Sequence, residues 1–186
     1  MNTDKNKIVY ADDDTGSIGL LLRLRIPPLI LGLFLGFGIS ILASRFEEVL
    51  ATNVHVAFFI PFVVYIAAAV GNQTHAIYSR DLKSSNTKFR NYLLKEPLLG
   101  MILGLLFGII STLAITLWLH NLLLALAVGL SVLMSVTVAP LIAIIVTEVL
   151  NDLHEDPAVG AAPIATVLQD MCSIIIYGLV TSALLL

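Results

Sequence analysis

Charge is scarce in this chain, and it carries one cysteine and one tryptophan. Asp, Glu, Lys and Arg make up 12% of its 186 residues, against 58% apolar residues. A water-soluble domain of this size has too few polar groups to cover that much apolar surface. The net charge is only −3 and no basic stripe exists, so nothing points to a nucleic-acid partner. The lone Cys172 lies inside an apolar run, which excludes an intrachain disulfide. No nucleotide-binding loop is present, which argues against an ATP-driven pump, and no residue set suggests an enzyme. The opening MNTDKNKIVYADDDTGS is polar and acidic, unlike a cleavable signal peptide.

What the chain does have is apolar length. Windows of about 20 apolar residues place spans at 26–44, 54–79, 97–119, 122–150 and 157–186. The expected fold class is all-α: a polytopic membrane protein with five transmembrane helices per chain. Residues 1–25 read as a polar segment ending in an interfacial helix at 20–25, and residues 26–186 as the membrane domain. Pro27, Pro97 and Pro157 are expected in first turns, where a missing N–H does no harm. Pro61, Pro140 and Pro163 fall inside spans and should bend them.

Orientation follows from the basic residues. Of the ten Lys and Arg, all but Arg45 precede the first span or lie between the second and third. The positive-inside rule then puts the N-terminus in the cytoplasm and the C-terminus outside, for a multi-pass protein of the cell membrane. The loop before the last span has no Lys or Arg and holds four carboxylates, Glu148, Asp152, Glu155 and Asp156. Such a cluster concentrates cations, although Asp156 is also placed to cap the fifth helix.

The last span carries Asp170 in its middle, about 20 Å beyond Pro157 along a helix. A carboxylate at that depth costs about 3 kcal/mol even on permissive insertion scales. No Lys or Arg lies within any span to pair with it. Pro163, Thr166, Asp170, Ser173, Tyr177 and Thr181 recur at helical spacing and predict one polar stripe. Opposite it, Ile164, Val167, Leu168, Ile175 and Leu179 suit lipid or neighbouring helices. The stripe reads as an ion path, against the alternative of an Asp paired structurally with a Ser or Asn of another helix.

The second span ends in Asn72, Gln73 and Thr74, neutral oxygen donors suited to a cation or its water shell. His75 reads either as a pH-sensitive gate or as a hydrogen-bonded packing residue. Gly100, Gly104 and Gly108 form a small-residue ridge for helix packing. Oxygen donors without thiols or a His cluster disfavour zinc, copper and nickel and fit magnesium, calcium or sodium. Magnesium loses its waters reluctantly, so a pore would hold it largely hydrated. One Asp per chain leaves a divalent ion half-neutralised, whereas two chains about a twofold axis supply two charges. A second copy of the chain and the lipid bilayer are therefore the expected partners.

These residues carry a family resemblance. From about Arg25 to Leu186 the chain resembles the transmembrane domain of MgtE-type magnesium transporters. The resemblance rests on Arg25-x-Pro27, Phe46-Glu47, Pro61, Gly71-x-Gln73 and Arg80. It continues in Leu93-Leu94-Lys95-Glu96 and in Asp156-Pro157-Ala158 through Pro163, Thr166 and Asp170 to Tyr177. It implies a homodimer that passes Mg²⁺ along its axis past an Asp of the fifth helix, here Asp170. Thr166, Asn72 and Gln73 then line the path. Glu47 lies near the outer side, and Glu96 at the inner end of the third span.

The chain departs from the family where Ala67, Ala68 and Ala69 stand in place of a Gly-Gly-Asn. It also shows no N-terminal helical domain or paired CBS modules, so gating by that magnesium sensor is not expected. The expected function is divalent cation transport, most of all Mg²⁺. The alternatives are a Na⁺- or H⁺-coupled Mg²⁺ exchanger, or a half-transporter that needs a paralogous partner.

Overall fold

A computed structural model describes residues 11–83, 87–153 and 157–186. Six helices follow one another, and no strand occurs among the described residues: α1 (Ile18–Ser44), α2 (Glu47–Thr52), α3 (Val54–Leu82), α4 (Phe89–Leu119), α5 (Leu122–Asp152) and α6 (Pro157–Leu185). Five of them, all but the six-residue α2, are long and apolar enough to cross a membrane. The expected all-α class with five spans is therefore what the chain adopts.

Local chemistry fixes most helix ends. The Ser17 hydroxyl accepts from the Leu20 N–H and starts α1. Asn53 accepts from the His55 N–H at the head of α3, and Asn121 from the Leu124 N–H at the head of α5. His120 takes a left-handed conformation (φ 50°) and returns its N–H to the Thr116 carbonyl, closing α4. Two residues thus suffice to reverse the chain between α4 and α5. Glu47 and Glu48 occupy the first turn of α2, where carboxylates complement the helix dipole. The Asp156 expected to cap α6 lies outside the described residues.

Two proline expectations are overturned. Pro27 and Pro28 lie inside α1, which begins at Ile18, and Pro97 lies inside α4, which begins at Phe89. The leucine-rich residues 20–24 and the preceding Ser17 cap extend α1 backwards. In a membrane helix, the carbonyls freed by proline can be satisfied by neighbours, so proline does not mark the start. Pro157 does open its helix.

The helix α5 is the centre, packed against α3, α4 and α6, whereas α1 packs mainly on α6 and buries no residue. The glycine ridge of α4 faces α5 directly. A Cβ on Gly104 would lie 2.6 Å from the Leu133 carbonyl oxygen, and one on Gly108 2.7 Å from that of Gly129. A Cβ on Gly100 would meet the Val136 carbonyl, the group that Pro140 deprives of its helical N–H partner. The ridge is packing machinery, as its spacing suggested.

Polar side chains tie the bundle at both rims. Where α3 ends, Thr74 donates to Glu96 (2.7 Å), His75 Nδ1 meets the Thr147 hydroxyl (2.8 Å), and Tyr78 donates to Glu148 (2.6 Å). His75 is buried in this contact and takes its packing role. At the opposite rim, the Tyr177 hydroxyl donates to the Val56 carbonyl (2.6 Å), linking α6 to α3. Tyr177→Phe should therefore lower unfolding stability by about 1 kcal/mol, read from denaturant titration in mixed micelles. No change in the midpoint would show that this bond contributes nothing net.

Candidate functional site

Asp170 sits on α6, half-buried, with its Oδ1 shielded from solvent and without a hydrogen-bond partner among the described residues. One turn earlier, Thr166 points to α3, its hydroxyl 3.4 Å from Asn72 Oδ1. That distance is long for an O–H···O bond, so the contact is weak and easily exchanged for another partner. Asn72 and the next residue, Gln73, are exposed on the protomer although they belong to an apolar span. Carboxamides left in hydrocarbon without partners are costly. Asn72, beside Thr166 on the α3–α6 seam, and Gln73, one residue further round α3, therefore form a polar strip on a largely apolar surface.

Beneath that strip the two helices touch closely. Gln169 is 1% exposed and donates through Nε2 to the Ala139 carbonyl on α5 (3.1 Å). Its amide abuts Gly71, where a Cβ would lie 2.6 Å from Gln169 Cδ and 2.8 Å from Oε1. Only a residue without a side chain lets α3 come so near. Gln169 is missed by a stripe that passes through Asp170. It nevertheless stands at three and four residues from Thr166 and Ser173, which is the same helical spacing.

The polar stripe divides. Ser173, Tyr177 and Thr181 are buried inside the protomer, and Thr181 donates back to the Tyr177 carbonyl (2.7 Å). The first turns of α3 cover this part of α6, while Phe46 stacks on Gly178 just ahead of α2. The face is continuous along α6, but its covering is not. Among the polar residues, only the portion around Thr166 and Asp170 remains beside the exposed strip. Val167, assigned to the apolar face, is buried against neighbouring helices.

The remaining candidates stand apart. Glu96 is buried and held by Thr74, and it borders a cleft of about 390 Å³ that Lys88 and Lys95 also line. Asp81 lines it as well, so two ammonium groups offset two carboxylates and leave no net negative charge to gather a cation. Glu47 is exposed on α2 at the opposite rim. Of the acidic loop, Glu148 is engaged by Tyr78, Asp152 is exposed, and Glu155 and Asp156 lie outside the described residues. Ahead of α1, the Asp12 carboxylate accepts from the Thr15 hydroxyl and from the N–H groups of Asp14 and Thr15. These bonds hold it below its ordinary pKa. Asp13 pairs with Arg25. Among the described residues, no three His, Cys, Asp or Glu side chains gather as a metal cage. The site of one protomer is one carboxylate with hydroxyl and amide oxygens, chemistry suited to a hard and largely hydrated cation.

Residues 60–180 match the family model of MgtE, described as a divalent cation transporter. The chain belongs to the MgtE family. No curated protein matches it. The match runs from α3 to α6 and encloses Asn72, Gln73, Glu96, Thr166 and Asp170, leaving α1 and α2 outside. Together with the five spans, it makes the chain a multi-pass membrane protein of a divalent cation transporter family. A transporter of this family needs a hydrophilic route through the bilayer. In this MgtE chain, the α3–α6 strip exposes carboxamide oxygens within an apolar span.

Proposed function

We propose that the chain carries Mg²⁺ across the cell membrane as a homodimer, with the ion path between two copies of the Asp170 strip. The observation that carries this reading is the half-buried Asp170 carboxylate one turn from Thr166, whose hydroxyl meets Asn72, with Asn72 and Gln73 left exposed on the protomer. A second copy related by a twofold axis covers the strip and supplies a second carboxylate. Two carboxylates neutralise a divalent ion while leaving its waters in place, with Thr166, Asn72 and Gln73 hydrogen-bonding to those waters. Lys and Arg flank the cytoplasmic rim, with the N-terminus inside. Glu47 and Glu96 stand outside the path, at its outer and inner approaches. A membrane potential negative inside then favours Mg²⁺ entry by about 4.6 kcal/mol per 100 mV, twice the unit-charge value.

Liposome flux tests this directly. The purified chain alone should take up Mg²⁺ when a negative interior potential is imposed, with no opposing ion gradient. Uptake only with an opposing Na⁺ or pH gradient would replace the channel-like reading with exchange. No uptake by the single chain would leave a subunit that requires a paralogous partner.

A further inference from the structure

We infer that Gln169 is a positioning residue for Asp170: its carboxamide, keyed against Gly71 and bonded to Ala139, fixes the rotation of α6 about its axis. The inference rests on Asp170 as the path carboxylate. Three observations from three helices support it. Gln169 is 1% exposed, and its Nε2 donates to the Ala139 carbonyl of α5 at 3.1 Å. On α3, Gly71 leaves no room between its Cα and that amide. The Oε1 atom is buried without a partner among the described residues. A flipped amide does not relieve this, because it would set Oε1 against the Ala139 carbonyl oxygen, two acceptors facing each other.

The third observation separates positioning from simple packing. A buried acceptor without a partner is a net cost, and a leucine of similar size would fill the same space without one. The carboxamide is therefore a poor choice for stability alone. What it provides is direction: a donor aimed at one carbonyl allows one rotation of α6, whereas an apolar side chain accepts several. Asp170 is the next residue, so any turn of α6 at Gln169 moves the Asp170 carboxylate equally. Asn72 follows Gly71 on the facing helix, so the same contact sets both sides of the strip.

Two measurements test this. Gln169→Leu should keep or raise the melting temperature while the half-saturating Mg²⁺ concentration rises about fivefold, the factor carried by one neutral hydrogen bond. A parallel loss of melting temperature and maximal rate, with half-saturation unchanged, would reduce Gln169 to packing and overturn the inference. Gly71→Ala should cut flux about tenfold in the native background but less than about twofold beside Gln169→Ala, where the amide is gone. Equal effects in both backgrounds also overturn it. A readout independent of transport uses Asn72→Cys with Thr166→Cys in a Cys172→Ser chain. The disulfide between them should form readily and slow markedly with Gly71→Ala. An unchanged rate overturns the lock itself. If the native chain carries no Mg²⁺ while the cross-link behaves as expected, the path reading has failed and the lock stands.

Discussion

Asp170→Asn is expected to lower Mg²⁺ flux about a hundredfold while the protein still folds and inserts. The magnitude follows from Coulomb's law. With one water between them, a carboxylate oxygen and a magnesium ion are about 5 Å apart. At that distance, a unit and a double charge attract by about 2 kcal/mol in water-like surroundings and about 7 kcal/mol in a protein-like dielectric. A loss of about 3 kcal/mol, near the lower end, is already a hundredfold. Folding should be spared, because Oδ1 of Asp170 makes no hydrogen bond that the amide would lose, and an uncharged group is cheaper to insert. The measurement is Mg²⁺ uptake into liposomes at matched protein density, with the melting temperature as control. Native flux in Asp170→Asn would remove this residue from the path and return it to structural pairing.

The second large effect is on stability. Gly104→Leu should lower the melting temperature by about 5–10 °C, the result of about 3 kcal/mol of overpacking. Even the Cβ would sit 2.6 Å from the Leu133 carbonyl oxygen and 3.2 Å from Leu133 Cα, and both are backbone atoms that cannot swing aside. Helices α4 and α5 must separate, and α5 is also the support for α3 and α6. Scanning calorimetry or fluorescence in detergent reads the shift. A melting temperature within a degree of the native value would mean that the ridge is more yielding than its contacts imply.

The spans were legible in the sequence because an apolar run of bilayer length is at home in lipid and almost nowhere else. Their beginnings were less so. Pro27, Pro28 and Pro97 suggested starts by the rule for helices in water, where an interior proline is expensive. Packed membrane helices admit proline more readily, and α1 and α4 run past it. The short α2 left no apolar signature to find. Asp170, Thr166 and Asn72 were recognisable as polar residues at membrane depth, and the fold brings Thr166 to Asn72. Periodicity gives a face of a helix but not what covers it. That is why Tyr177 and Thr181, read as part of an ion path, turn out to be internal ties. Gln169 needed the third dimension altogether, since its meaning depends on Gly71 and Ala139, both remote in sequence.

The turn at His120 and Asn121 bears on the order in which the molecule comes together. It joins α4 and α5 over two residues, so their glycine-lined contact is local and forms as soon as both helices have emerged. The meeting of Asn72 with Thr166 spans 94 residues, and that of Val56 with Tyr177 spans 121. Contacts so distant in sequence close late, after the loss of chain entropy that local pairs avoid. The seam that holds Asp170 then closes after the α4–α5 hairpin, as α6 docks onto α3.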